Sequence, residues 1–249
     1  MKGICKLCKR EKNLLKKSHI IPNFLYKELY DKQHKINILD IFSKDEIKKP
    51  IRPSTGEYEQ FILCSECDNN IIGRYESYCS IIIQNKDNKI KNKIIINNKG
   101  NRFNEISNID YTKTKLFLLS LLWRMSISSR DIYKDVNLES WEEQIRNQII
   151  DDNPKKDNNI PIIILSWKND KKMARDIITQ PSKYYNDSKK ITFYSLIVSG
   201  YIILFYLTDD LSALGEEKHF RLKEENSVTI IYLEKGTAWD FILRNAGYK

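Results

Sequence analysis

A chain of 249 residues, 41% hydrophobic and 30% charged, is ordinary for a soluble globular protein and long enough for one large domain or two small ones. The longest apolar run, Ser195 to Leu207, is broken by Ser199 and Gly200 and falls short of the roughly 18 residues of a membrane-spanning helix; the charged N-terminus lacks the apolar core of a secretory signal. Membrane and secreted classes are thereby set aside in favour of the cytoplasm, and a net charge of +9 points to a polyanionic partner, although the lysines are spread along the chain and form no single stripe.

The first region, Met1 to about Asn98, holds two Cys-x-x-Cys pairs, His19, His34 and many polar turns. Near its end, Lys89 to Ile96 reads as a strand followed by a turn at Asn98-Lys99-Gly100. From Tyr111 to about Ser128, Leu116, Leu119, Leu122, Trp123 and Ile127 recur at helical spacing, and "KLFLLSLLWRM" is apolar on more than one face, as in a buried helix. A second helix is expected from Leu138 to Ile150, with Trp141, Ile145 and Ile149 on one face and Glu142 four residues before Arg146. Beyond a charged loop the period changes. Residues Ile160–Trp167, Lys190–Gly200, Tyr201–Asp209 and Ser227–Gly236 are β-branched and aromatic and read as antiparallel strands, with Ser199-Gly200 as a hairpin turn. A short helix over Thr237 to Asn245 would turn Trp239 and Ile242 inward. The expected architecture is α+β: residues 1–105 as a zinc-bearing module, and residues 106–249 as helices packed on an antiparallel sheet.

The strongest chemical signal is the pairing of Cys5-x-x-Cys8 with Cys64-x-x-Cys67. In a reducing compartment, two such pairs supply the four thiolates of a tetrahedral zinc site; four ordinary buried cysteines are the alternative. A stretch of 55 residues separates Cys8 from Cys64, so the intervening segment must fold back on its start. Cys79 is left over, with a small buried hydrophobe as its expected role. A four-thiolate site has no open position for substrate, so any catalysis lies beside it. His19, inside "SHIIP", is the nearest candidate, and by itself such a histidine is more often packed or hydrogen-bonded than catalytic. His34 and His219 read as surface residues.

"CKLC", "SHIIP" and "LCSECDNN", in that order over roughly the first 80 residues, resemble the zinc-containing branch of the HNH endonucleases. The resemblance implies a ββα-metal module, HNH-like, in which a two-stranded ribbon and a helix hold a divalent ion between them. It gives His19 the role of general base, activating a water that attacks a nucleic-acid phosphodiester, DNA above all. A magnesium or similar ion would stabilise the developing charge. Ser18 stands where the family commonly has a metal-binding Asp or His, and the family's central Asn falls near Glu59 or Gln60. Asp68, directly after Cys67, and Glu76, eight residues on, become the metal-side candidates. Read from the residues alone, Asp68 is a helix N-cap and Glu76 a solvated helix position. Lys16, Lys17 and Arg74 are candidates for phosphate contact. The function so implied is metal-dependent nucleic-acid hydrolysis, with bacterial defence as a setting. The alternatives are a zinc-stabilised module that binds nucleic acid without cutting it and a protein-interaction module, with a protein partner or a second copy as its target.

Overall fold

The computed structural model describes residues 1–33, 35, 56–83, 87–167, 177–234, 236, 237 and 240. His34 and most of the expected C-terminal helix, with Trp239 and Ile242, lie outside them. The architecture is mixed α+β. Strands β1 (Lys2–Ile4) and β2 (Glu11–Asn13) form a hairpin, and β3 (Ser18–His19) pairs antiparallel with β4 (Tyr58–Glu59). A π-helical segment, Glu66–Ile72, then runs directly into α1 (Gly73–Ile83).

The second half is built around α2 (Tyr111–Ser126). Asp110 caps it by accepting from the Lys113 N–H, and every residue from Lys115 to Met125 is buried. A helix apolar all round must be covered on all sides. Helices α1 and α3 (Ser140–Ile150) pack against α2, and the inner face of a seven-stranded sheet lies beyond it. That sheet contains β5 (Lys91–Ile96), β6 (Arg102–Ser107), β7 (Ile162–Ser166), β8 (Ser182–Asn186), β9 (Ile191–Val198), β10 (Tyr201–Tyr206) and β11 (Ser227–Tyr232), in the order β5-β6-β11-β7-β10-β9-β8.

The expected turn between β9 and β10 is present. Ser199 and Gly200 have φ of 49° and 79°, and Val198 pairs with Tyr201 across them. Two consecutive positive φ values are what a two-residue turn needs to follow the twist of its strands.

Four expectations change. The sheet is not wholly antiparallel, because β11 runs parallel to β7, with Ile231 opposite Leu165. Strand β10 occupies only one edge of β7, and β11 returns along the other, burying Val228 and Ile230 between β7 and β6. Strand β8 was not anticipated, since "SKYYN" lacks β-branched residues and its faces are only partly covered. The boundary expected at 105/106 falls inside β6, whose Asn104 and Ile106 pair with Ile230 and Val228; one buried cluster runs from Cys5 to Val228. Finally, Arg146 pairs with Glu143 at 2.7 Å in place of Glu142, and its other arm donates to the Leu7 carbonyl at 2.5 Å, tying α3 to the first cysteine loop.

Lys115 is 1% exposed. Its amine donates to Tyr111 Oη at 3.0 Å and to the carbonyls of Lys156 and Asn159 at 2.7 and 2.6 Å, closing the loop from α3 to β7 over α2. Burial pushes its pKa down to about 7, opposed by Asp157 and Glu224. Three donated contacts require three hydrogens, so the geometry favours the ammonium form. Replacing Lys115 with Met removes the donor to the Lys156 and Asn159 carbonyls, and a loss of about 1–3 kcal/mol is expected in denaturant unfolding; wild-type stability in K115M would show that the loop closes without it.

Candidate metal centre and the His19 cluster

The first cysteine loop is a tight turn between β1 and β2. Cys5 N–H donates to the Arg10 carbonyl, Lys9 N–H donates to the Cys5 carbonyl, and Lys9 takes φ 57° to close the bend. The second loop is stitched beside it. Lys6 N–H donates to the Ile62 carbonyl, Leu15 N–H to the Leu63 carbonyl, and Leu14 bridges Cys64. The Cys64 N–H points at Cys5 Sγ, 3.4 Å away. These backbone bonds carry the chain back across the 55 intervening residues. Cys5, Cys64 and Cys67 are buried, Cys8 is half-buried, and all four sulfurs lie within 4.8 Å of one another.

Four cysteine sulfurs at that separation lie close enough to bind a metal ion. Sulfurs about 2.3 Å from a tetrahedral ion are about 3.8 Å apart, inside the observed limit. Charge distribution fits as well. Cys67 donates to Cys5 and draws the Cys5 thiol down to about 4, while Cys67 itself is pushed up by that same contact. Burial pushes Cys64 up. Arg10 and Lys12 reach Glu66 at 3.7 and 3.6 Å at the rim. Among the described residues no other group of three or more His, Cys, Asp or Glu brings its ligand atoms this close.

Directly beside this centre, β3 and the helix after the second loop face one another. Ser18 and His19 pair with Glu59 and Tyr58, fixing the ribbon. Asp68 and Glu76 come from the helical side. The connection between them is Arg124 of α2, 1% exposed: its Nη1 donates to the His19 carbonyl and to Glu76 Oε1, both at 2.7 Å, while Nε donates to the Ser120 carbonyl at 3.2 Å. Glu76, half-buried, is thus committed to Arg124.

Asp68 does not cap the helix. The helix begins at Ser65, and the Asp68 carbonyl accepts from the Gly73 N–H, five residues on, the spacing of a π turn. Burial pushes the Asp68 carboxyl up to about 6; Arg124 opposes this, Glu76 adds to it, and the Ser18 hydroxyl, turned toward it, lowers it. The Ser18 contact falls short of a full hydrogen bond, and its buried Oγ has no other partner among the described residues. His19 is half-buried, and desolvation pushes its imidazole below the ordinary range, with Glu76 opposing and Arg124 and Lys17 assisting.

The remaining candidates divide. Lys16 and Lys17 are exposed just before the ribbon, and Lys17 Nζ lies 4.7 Å from the Tyr58 ring. Arg74 is engaged, with Asp152 at 3.0 Å and Tyr75 Oη at 2.8 Å. Glu59 is also spent: Oε2 accepts from the Ser128 and Ser129 hydroxyls and from the Ser129 N–H, holding β4 to the end of α2. Cys79 is 4% exposed, and burial pushes its thiol well up, as expected of a packed residue. Sequence reasoning missed Arg124. A charged residue inside the apolar run from Leu116 to Met125 was the one available signal that a polar partner awaited it.

Comparison with protein-family models, with curated proteins and with solved structures finds no match to this chain.

Two results are expected. Cys64→Ser is expected to lower the bound metal per chain, measured by elemental analysis, and the thermal midpoint by about 10 °C; unchanged metal content would remove these sulfurs from the site. Arg124→Met is expected to destabilise by about 3–5 kcal/mol, because it leaves the Glu76 carboxylate unpaired. Adding Glu76→Gln to that variant should recover part of the loss, and a double-mutant cycle with purely additive costs would show that the pair is not coupled.

Proposed function

We propose that this protein is a zinc-stapled, divalent-ion-dependent nuclease of the HNH type that hydrolyses phosphodiester bonds in nucleic acid, with DNA as the substrate. One observation carries the reading: His19, on a ribbon, and Glu76, on the helix that follows the second cysteine pair, are bridged by a single guanidinium at 2.7 Å to each, next to the four sulfurs. A ribbon then a helix, locked by a metal clip, is the order the sequence resemblance implies. Zinc suits the clip because it takes four thiolates in tetrahedral geometry without redox chemistry.

For the working ion, magnesium is commonly held by one or two carboxylates with phosphate and water oxygens completing its shell. Asp68, with its raised carboxyl pKa, and Glu76 Oε2, on the oxygen that Arg124 does not bind, are the hard-oxygen donors that fit. When bound, such an ion would neutralise charge on the phosphate. The chain's own residues do the rest. Desolvation keeps the His19 imidazole neutral near pH 7, and its ring takes the proton from the attacking water as the water oxygen bonds to phosphorus and the bond from phosphorus to the leaving ester oxygen breaks, that oxygen taking its proton from solvent. Arg124 holds the His19 backbone and Glu76 in a fixed relation, so the base need not be ordered at each turnover. Lys16 and Lys17 supply exposed charge for the phosphate backbone.

Ser18 and the hold of Arg124 on Glu76 favour a second reading, a nucleic-acid-binding module that does not cut. The two separate in one assay. Supercoiled plasmid with Mg²⁺ or Mn²⁺ is expected to be cleaved by the wild-type chain, and His19→Ala is expected to lose about 10²-fold or more in rate. Because protonated imidazole cannot accept a proton and the pKa lies below the usual 6.5 or so, the rate should fall only below that pH and stay level above it. Equal cleavage by His19→Ala would remove His19 as base, and salt-sensitive binding with no cleavage by either protein would select the second reading.

A further inference from the structure

The seven-stranded sheet ends at β5, which pairs with β6 on one side and, among the described residues, with no strand on the other. Every residue from Lys91 to Ile96 is exposed, and Ile94, Ile95 and Ile96 stand 45%, 36% and 66% open to solvent. The hairpin turn fixes which backbone groups face outward. Gly100 N–H donates to the Asn97 carbonyl and Asn97 N–H to the Asn101 carbonyl, so Asn97 and Asn101 form a hydrogen-bonded pair. Bonded and non-bonded pairs alternate along an antiparallel ladder. Ile95–Phe103, Lys93–Glu105 and Lys91–Ser107 are then the bonded pairs, and the N–H and C=O groups of Asn92, Ile94 and Ile96 point away from β6. Side chains alternate as well. Asn92 accepts from Asn104 on the face toward α2, so Asn92, Ile94 and Ile96 share that face, and Lys91, Lys93 and Ile95 take the other.

Between Asn88 and Arg102 the chain carries five basic residues, Lys89, Lys91, Lys93, Lys99 and Arg102, and no acidic one. Glu105, opposite Lys93, lies on the β6 side, away from the free edge. Lysines on an edge strand ordinarily guard it against unwanted pairing. Here they oppose a second copy, because self-pairing sets two lysine-bearing strands against each other on molecules that each carry +9. A DNA backbone would answer the lysines, but it offers no donor to the three outward carbonyls. An extended acidic segment answers the charge, the open backbone and the isoleucines together. We propose that β5 is a docking edge for an extended protein segment of alternating acidic and β-branched residues, which adds to the sheet as a further strand. Backbone hydrogen bonds to Asn92, Ile94 and Ile96 supply affinity, and the alternate side chains supply selection: carboxylates against Lys91 and Lys93, apolar groups against Ile94 and Ile96. The surface is independent of the nuclease reading.

A fluorescein-labelled peptide amide, Val-Thr-Val-Glu-Thr-Glu, tests this by fluorescence anisotropy with the full chain at low salt. Laid antiparallel on β5, it sets its valines opposite Ile96 and Ile94 and its glutamates opposite Lys93 and Lys91. Saturable binding at one peptide per chain is expected, with a Kd of about 10–100 µM. The same peptide with both glutamates replaced by lysine is expected to bind at least about fivefold more weakly. The double variant Lys91→Glu/Lys93→Glu, at exposed positions, is expected to reverse that preference. Ile94→Pro removes one outward N–H while leaving the bonds to β6, and is expected to weaken binding about tenfold or more. Absence of saturable binding overturns the proposal. So does a peptide preference that Lys91→Glu/Lys93→Glu leaves unchanged, a comparison that stands even if Ile94→Pro fails to fold. An unchanged Kd in Ile94→Pro with native circular dichroism overturns it too. A wild-type dimer in sedimentation equilibrium that Ile94→Pro dissolves would give the edge to a second copy. Binding of short duplex DNA that Lys91→Glu/Lys93→Glu abolishes, with no peptide bound, would give it to nucleic acid; either result overturns the acidic-segment assignment.

Discussion

The contact on which the rest of this structure turns is the Arg124 guanidinium. It originates in α2, the most buried helix among the described residues, and leaves that helix to reach two elements distant in sequence, β3 through the His19 carbonyl and α1 through Glu76, at 2.7 Å each. A guanidinium removed from water is tolerable only when its donors are met, and Ser120, His19 and Glu76 meet them. The same demand that makes Arg124 costly to bury makes it a positioning device. The ribbon cannot shift against the helix without stranding a charge. For the proposed nuclease, the base and the carboxylate side are therefore held by the core of the second half of the chain, and the N-terminal third is not self-sufficient.

The sulfur cluster performs a different task at the same place. It joins residues on either side of a long insertion, where hydrogen bonds between short strands would be weak anchors; β3 and β4 have two residues each. A two-stranded ribbon of that length is marginal alone. Glu59, held by Ser128 and Ser129, clamps β4 directly, and the four sulfurs within 4.8 Å of one another and Arg146 at the Leu7 carbonyl mark two further tethers, on the neighbouring cysteine loops. The clamps come from both halves of the chain. This explains why one buried cluster runs through the molecule and why the hairpin β5–β6 completes a sheet otherwise made of C-terminal strands.

Where local chemistry decided the outcome, the sequence was readable. The all-round apolar run of α2, the β-branched runs of β7, β9, β10 and β11, and the Ser199-Gly200 turn follow from period and backbone preference, which act over a few residues. The cysteine spacing was readable too, because ligand chemistry leaves few other uses for two such pairs. Strand β8 was not, since it has no β-branched residue and its pairing with β9 is what makes it a strand. The parallel alignment of β11 with β7 was not either, because it records where the chain returns after three intervening strands.

By itself, then, the sequence determined an α+β chain with a buried central helix, a β-rich C-terminal half, and a four-cysteine set with His19 close behind it. Only the tertiary structure decided that Glu76 is bound to Arg124, that Glu59 serves the end of α2, that Arg74 is taken by Asp152, and that β5 lies at the edge of the sheet. The reason is physical. A charged side chain announces that it needs a partner, but which partner it meets depends on contacts between residues 48 to 78 positions apart, and no periodicity or short motif encodes those.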